Sequence, residues 1–258
     1  VLTKAYTYLP YGLPVGGRER LGPSILEAIT DLAQDNLEWV GNGARELYYT
    51  GALSASNVGS SAAYYFSGEK DWSAIRYAWL YIENVDKVPD MDEATRAQTV
   101  AEAKMIIAIS YAEMLRNIGG VPWLDHAVQP NEVMNYPRLT FAETVDRIIS
   151  LLDEAIPYLR WTQTDAEDGR MTRAGAMALK LRVLSFAASP TFNSNTLYHP
   201  LANEYVCYGN EDRNRWKRAV EAGRELMEAI QKNGYYELVQ PQEESHMGRR
   251  LAFRAAYY

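Results

Sequence analysis

The residues able to do acid–base, nucleophilic or metal chemistry are few in this chain, and they are scattered. His126, His199 and His246 are its three histidines, and they lie too far apart in sequence to form a metal-ligand motif. Cys207 is the one cysteine and has no base beside it, so it reads as a buried, inert thiol. A single thiol also excludes an internal disulfide framework. Asp90, Asp92 and Glu93 offer oxygen ligands, but the stretch lacks the ligand order of a calcium-binding EF-hand. It reads as a solvated acidic turn ahead of a helix. Asp153 and Glu154 flank core positions and read as the wet face of a helix. The chain has no nucleophile elbow and no glycine loop that would cradle phosphate. The expectation is a protein that is not an enzyme and uses no metal and no cofactor.

Binding chemistry is better represented. The chain carries 19 Tyr and 6 Trp, many of them in stretches without helical or strand periodicity. Gly41–Lys70 is one such stretch, with Tyr48, Tyr49, Tyr64, Tyr65 and Phe66 set among Gly, Ser, Ala and Asn, and with Trp39 at its entry. Loops this long are uncommon and often functional. Aromatic faces stack on the apolar C–H faces of sugar rings, while Asn, Asp and Arg bond the hydroxyl rim. Trp39, Asn42, Arg45, Tyr48 and Tyr49, where a helix end opens into the aromatic loop, are therefore the candidate ligand-binding residues. They fit a peptide equally well, and Trp39 alternatively closes the hydrophobic face of its own helix.

The elements that must carry such a loop are helices. Pro23–Val40 has a helical apolar face that opens on a proline suited to the first turn. Trp72–Val88 turns Ile75, Ala78, Trp79, Ile82 and Val85 to one side, with Asp71 as its cap. The strongest element runs through AEAKMIIAISYAEMLRNIGGVP, Ala101–Pro122. Ala101, Met105, Ala108, Ala112 and Leu115 form one seam at helical spacing, and Ile107, Tyr111, Met114 and Ile118 form a second. Two seams predict a helix packed on two sides. Gly119 and Pro122 end it. Thr140 and Glu143 form a capping box ahead of Val145, Ile148, Ile149, Leu152 and Ile156. Thr172 caps a helix to Ser189 with a small-residue seam of Ala174, Ala178, Leu181, Ser185 and Ala188. Asn214–Asn233, ended by Gly234, turns Trp216, Ala219, Val220, Gly223, Leu226, Met227 and Ile230 inward. That face is more apolar than the helix-poor remainder of the sequence can cover. Val1–Gly22 and Asp125–Arg138 read as loops.

Composition narrows the partners. A net charge of −7 with no long basic run argues against nucleic acid. No apolar stretch approaches the length of a membrane span.

The central stretch resembles the hallmark helix of the SusD/RagB family of outer-membrane nutrient-binding lipoproteins. The shared pattern is an acidic AEA start, a long apolar helix with an aromatic near its middle, and a GGVP exit. Lys104 stands near the place where that family usually has arginine. IRYAWLYIENVDKV is similar to the family's second conserved helix, except that Trp79 replaces an asparagine. FAETVDRIISLLDEAIPYL also matches, as do GRMTRAGA, with Arg173 and Ala174–Gly175 in place of Lys-Gly, and the YYEL that follows the last helix. The resemblance covers most of Leu21–Tyr236. It implies an all-α fold, a tetratricopeptide-like superhelix of helical hairpins with long inserted loops. The hairpins would be Trp72–Val88 with Thr95–Ile118, and Thr140–Arg160 with Thr172–Ser189. Their spacing is far longer than the roughly 34 residues of the standard repeat. It further implies a single SusD-like unit over residues 1–258, forming the N-terminal portion of a longer protein whose lipid anchor lies upstream. The implied function is capture of an oligosaccharide at the cell surface and its delivery to a TonB-dependent outer-membrane transporter. Peptide or other nutrient binding on the same architecture, or an intracellular helical-repeat scaffold, are the alternatives.

Overall fold

The computed structural model describes residues 1–9 and 71–255. Seven α-helices lie among them: α1 Leu2–Tyr6, α2 Asp71–Ile82, α3 Glu93–Ile118, α4 Phe141–Ala155, α5 Arg173–Ala188, α6 Arg213–Asn233 and α7 His246–Ala255. No strand occurs among the described residues, where backbone pairing outside the helices includes one isolated antiparallel bridge between Pro122 and Arg138. Helices that follow one another from α2 to α6 pack side by side, and α1 lies against both α2 and α3. The fold is the all-α, tetratricopeptide-like stack of hairpins that the sequence predicts.

Local chemistry sets most helix ends. Asp92, read as part of an acidic turn, caps α3 by accepting the Thr95 N–H at 2.9 Å. That bond and the Thr95 hydroxyl hold its carboxyl below the usual range, the hydroxyl most strongly. Thr140 and Glu143 form the reciprocal capping box on α4. Thr172 caps α5 through the Gly175 N–H, and Asp212 caps α6 through that of Asn214. Gly119 and Gly234 close α3 and α6 at φ 89° and 67°, a region where a side chain is strained.

The core gathers on α3. Met105, Ile107, Ala108, Tyr111, Met114 and Leu115 are buried there, against Ile75 and Ala78 of α2 and Val145, Ile148 and Leu152 of α4. Both predicted seams are therefore packed along most of their length, with Ala112 half-buried and one further correction. Ile118 is 39% exposed: the segments that meet the end of α3 contact its backbone, with Arg138 on the Ile118 carbonyl, and leave this side chain uncovered.

Five further expectations are corrected. The first nine residues are not all loop: α1 sends Ala5 into the core. α2 ends at Ile82 rather than Val88, and Val85–Lys87 form a separate 3-10 turn. At that break the Asn84 side chain donates back to the Leu80 carbonyl, and the Glu83 carboxylate leaves the helix to accept the Ala127 N–H. α5 buries Ala176, Val183, Leu184 and Ala187 together with Ala174 and Ala188, whereas Ala178 is exposed and Leu181 and Ser185 are half-buried. On α6, Ala219 is buried but Trp216, Val220 and Met227 are exposed, since α5 covers only the side bearing Ala219 and Ala222. α7 was not foreseen: its ten residues follow a stretch without periodicity, and Met247, Leu251 and Phe253 face outward.

The Gly-Gly-Val-Pro exit is a point of close chain contact. The Gly120 N–H donates to the Tyr205 carbonyl at 2.7 Å. Arg138 donates to the Gly120 and Ile118 carbonyls at 2.5 and 2.8 Å, with its guanidinium 5.1 Å from the centre of the Tyr205 ring. Phe141 N–H reaches the Glu204 carbonyl at 2.8 Å. Three segments distant in sequence are thus joined at the end of α3.

The carboxylates read as a wet face are exposed but not idle. Glu154 pairs with Lys104 of α3 at 2.7 Å, and Asp153 with Lys180 of α5 at 2.8 Å. Exposed pairs of this kind add register more than stability.

Candidate functional site

Trp39, Asn42, Arg45, Tyr48 and Tyr49, the candidate ligand residues, lie outside the described residues, as does the predicted helix Pro23–Val40. The described chain resumes where it enters α2 at Asp71.

Next to that entry lies an aromatic cluster. Trp72, 43% exposed, meets the buried Tyr111 edge-on at 6.1 Å. On its other side Tyr111 stacks flat on Trp123, with ring centres 3.9 Å apart and planes 16° from parallel. Leu124 N–H donates to the Tyr111 hydroxyl at 2.8 Å, and the Trp79 indole N–H donates to the Leu124 carbonyl at 3.0 Å. Burial drives the Tyr111 hydroxyl well above the usual tyrosine range, so it is neutral at physiological pH. The aromatic in the middle of α3 therefore pins the loop that leaves the helix, and Trp79 reinforces it. Half-buried Trp123 and exposed Trp72 leave apolar ring surface beside the chain's entry into α2. Tyr111→Phe removes the acceptor for a buried N–H. It should lower stability by about 1–2 kcal/mol in urea unfolding, with the helix content of the folded state unchanged.

A second arrangement lies under α1 and holds the N-terminus in place. Glu102 is fully buried. One of its oxygens accepts from Gln98 at 3.1 Å and from Arg170 at 2.9 Å. The other accepts from the Tyr6 hydroxyl at 2.8 Å and from Arg170 Nε at 3.0 Å. Met171 N–H donates to Tyr6 Oη at 3.1 Å. Burial is the main cause that raises the Tyr6 hydroxyl pKa, and the Glu102 charge adds to it. Every bond of Glu102 is taken up internally, so this is a structural node and not a catalytic acid. The two partners stand in the AEA and GRMT motifs, and nothing in their spacing pairs them. A charge inside an apolar helix seam was the available signal.

Between α3 and α5 runs an open groove of about 510 Å³, walled by Met105, Ile109, Leu179 and Phe186 and floored in part by Ala112 and Ala178. At its edge Arg116 is paired with Glu113 at 2.7 Å, and Arg182 is exposed. Its walls are mostly aliphatic, which suits apolar side chains better than sugar faces. Among the described residues, no group of three or more His, Cys, Asp or Glu side chains is placed to hold a metal ion. Cys207 is buried, its thiol 3.5 Å from the Asn203 carbonyl.

No family model and no curated protein matches the chain. Solved structures do. A protein named BT4246 is 24% identical with a TM-score of 0.67, the match covering 83% of this chain and 36% of that one. A SusD-like carbohydrate binding protein from Bacteroides fragilis is 16% identical with a TM-score of 0.58, covering 88% and 39%. A SusD superfamily protein from Bacteroides vulgatus is 20% identical with a TM-score of 0.55, covering 77% and 39%. The chain thus has the fold of SusD-like proteins and spans well under half the length of these structures. No helix among the described residues is long and apolar enough to cross a membrane.

Proposed function

We propose that this chain is the helical, N-terminal part of a cell-surface glycan-binding lipoprotein, one that captures an oligosaccharide and passes it to a TonB-dependent outer-membrane transporter. The observation that carries the reading is the fold shared with a SusD-like carbohydrate binding protein over 88% of the chain. The residue chemistry agrees, being rich in loop aromatics and poor in acid–base clusters. In this reading the protein binds and does not cleave, and its membrane attachment is a lipid upstream of Val1. The sugar platform is formed by Trp39, Tyr48 and Tyr49 stacking on ring faces, with Asn42 and Arg45 bonding hydroxyls.

Affinity electrophoresis of the intact protein through gels containing different polysaccharides tests this reading. Retardation by at least one glycan is expected, and a detergent pull-down should recover a large β-barrel. No retardation by any glycan, with recovery of cytoplasmic proteins only, would overturn it. The aliphatic groove between α3 and α5 favours a peptide as the second reading, distinguished by binding to peptide arrays instead.

Trp39→Ala checks the site itself. A platform tryptophan loses about 1 kcal/mol or more of affinity and leaves the melting temperature nearly unchanged. A core tryptophan instead loses about 3–5 kcal/mol of stability. Both quantities are read on one sample, and a large drop in melting temperature with affinity intact removes Trp39 from the site.

A further inference from the structure

The segment between α3 and α4 holds a charged cluster outside the proposed sugar platform. The His126 ring lies between two carboxylates, with Nδ1 2.8 Å from Asp125 Oδ1 and Nε2 3.0 Å from Glu132 Oε1. Glu132 is also the hub of the residues beyond. Its Oε2 accepts the Gln129 N–H at 2.9 Å. Its Oε1 takes the Tyr136 hydroxyl, which sits 3.4 Å from His126 Nε2. The near end of the loop is held separately: Glu83, just past α2, accepts the Ala127 N–H at 2.8 Å, and Arg76 of α2 reaches the Val128 carbonyl at 3.4 Å. The far end is held at Arg138. Between these anchors the loop projects Val133 and Met134, 84% and 64% exposed. Its fold onto the anchored end rests on the His126–Glu132 contact and the bonds that Glu132 shares, together with the Gln129 side-chain amide on the Ala127 carbonyl at 2.7 Å and the Glu132 N–H on the Gln129 carbonyl at 3.1 Å. Of these the His126–Glu132 contact is the one that the ring's protonation changes.

A neutral imidazole has one N–H and one lone pair, so it can donate to only one of two flanking carboxylates and turns its lone pair to the other. An imidazolium donates to both, and bonds between charged partners are the stronger kind. We propose that His126 is a pH-operated latch on the Gln129–Tyr136 loop, closed when the ring carries two protons and released when it carries one.

The local electrostatics run the same way. The Asp125 hydrogen bond, followed by that of Glu132, raises the His126 pKa above the ordinary histidine value. Asp125 is held low chiefly by His126, with Arg147 of α4 contributing. Glu132 is held low chiefly by the Gln129 N–H, then by His126. Arg76 of α2 and Glu83 just past its end, the charged groups on this side, bond loop backbone and not the ring. For a base whose folded pKa is raised, the stabilisation is complete below the unfolded value of about 6.5 and disappears as pH rises through the folded value. The latch is therefore closed in mild acid and opens toward alkaline pH.

The test is an NMR titration of the whole chain from about pH 5 to about pH 9, which brackets histidine titration. The expected result is that the Gln129 and Tyr136 amides shift with the same midpoint as the His126 ring. Amide exchange across 129–136, corrected for its intrinsic pH dependence, should also rise severalfold above that midpoint. His126→Gln should abolish the shared transition, Glu132→Gln should lower the ring's midpoint, and His199→Gln should leave both unchanged. Loop amides that do not follow the ring in the wild-type protein would overturn the proposal. So would a His126→Gln protein with the wild-type pH profile.

Discussion

Arg170→Ala is expected to cost about 3–5 kcal/mol of folding stability, the value for removing one partner of a buried ion pair. The loss arises at Glu102, whose side chain is wholly buried while Arg170 keeps 30% exposure. Without the guanidinium the carboxylate retains only Gln98 and the Tyr6 hydroxyl as donors. It then carries an uncompensated charge in the apolar seam of α3. Water can reach the vacated arginine side, so the lower end of the range is expected. α1 should loosen at the same time, because Tyr6 joins that node to the N-terminus and to Met171. Arg160→Ala is the contrast, since its pair with Glu167 is half-exposed and should change stability by less than about 1 kcal/mol. Replacing both Glu102 and Arg170 by methionine should recover most of the loss, as exchanging a whole buried pair for apolar groups often does. Urea unfolding of the four proteins reads these differences. A loss below about 1 kcal/mol for Arg170→Ala would mean that Glu102 is not isolated by the change.

Gly120→Ala should be nearly as damaging, at about 3 kcal/mol or more, the upper end of overpacking. A methyl group there would lie 2.0 Å from the Leu139 carbonyl oxygen and 2.7 Å from the Thr140 carbonyl carbon. Both obstacles are backbone, so no rotamer change relieves them. Moving that backbone would disturb the capping box of α4 and the Gly120 to Tyr205 bond together. Gly119→Ala meets the Tyr205 carbonyl oxygen at 2.2 Å and carries the added strain of φ 89°. Gly209→Ala separates strain from contact. Its φ is 70° but nothing lies within 4 Å, so it should lose only about 1–2 kcal/mol. Thermal melts of the three variants check the order, and a Gly120→Ala protein as stable as Gly209→Ala would contradict the packing described.

The sequence by itself determined the middle of the five helices from α2 to α6 and several of their ends, but not α1, α7 or the stop of α2 at Ile82. Thr140 with Glu143, Thr172, Gly119 and Gly234 act on backbone groups within a turn of themselves, so their effect is written locally. The period of Met105, Ala108, Leu115 and of Ile107, Tyr111, Met114 shows two packed faces for the same reason. Tertiary structure alone decided which faces found a neighbour. Ala178 has the spacing of a core residue yet lines an open groove, and Trp216, Val220 and Met227 have that spacing yet lie exposed on α6. Burial depends on the adjacent helix, and no periodicity within one helix encodes it. The candidate site divides in the same way. Stacking chemistry was legible in the residue types of the aromatic loop, whose candidate residues lie outside the described structure. The stack of Tyr111 on Trp123, the Glu102–Arg170 pair and the two carboxylates on His126 depend on how loops fold back on the helices. Single-residue preferences do not specify such contacts, because each is favourable only once the backbone has brought its partners within a few ångströms.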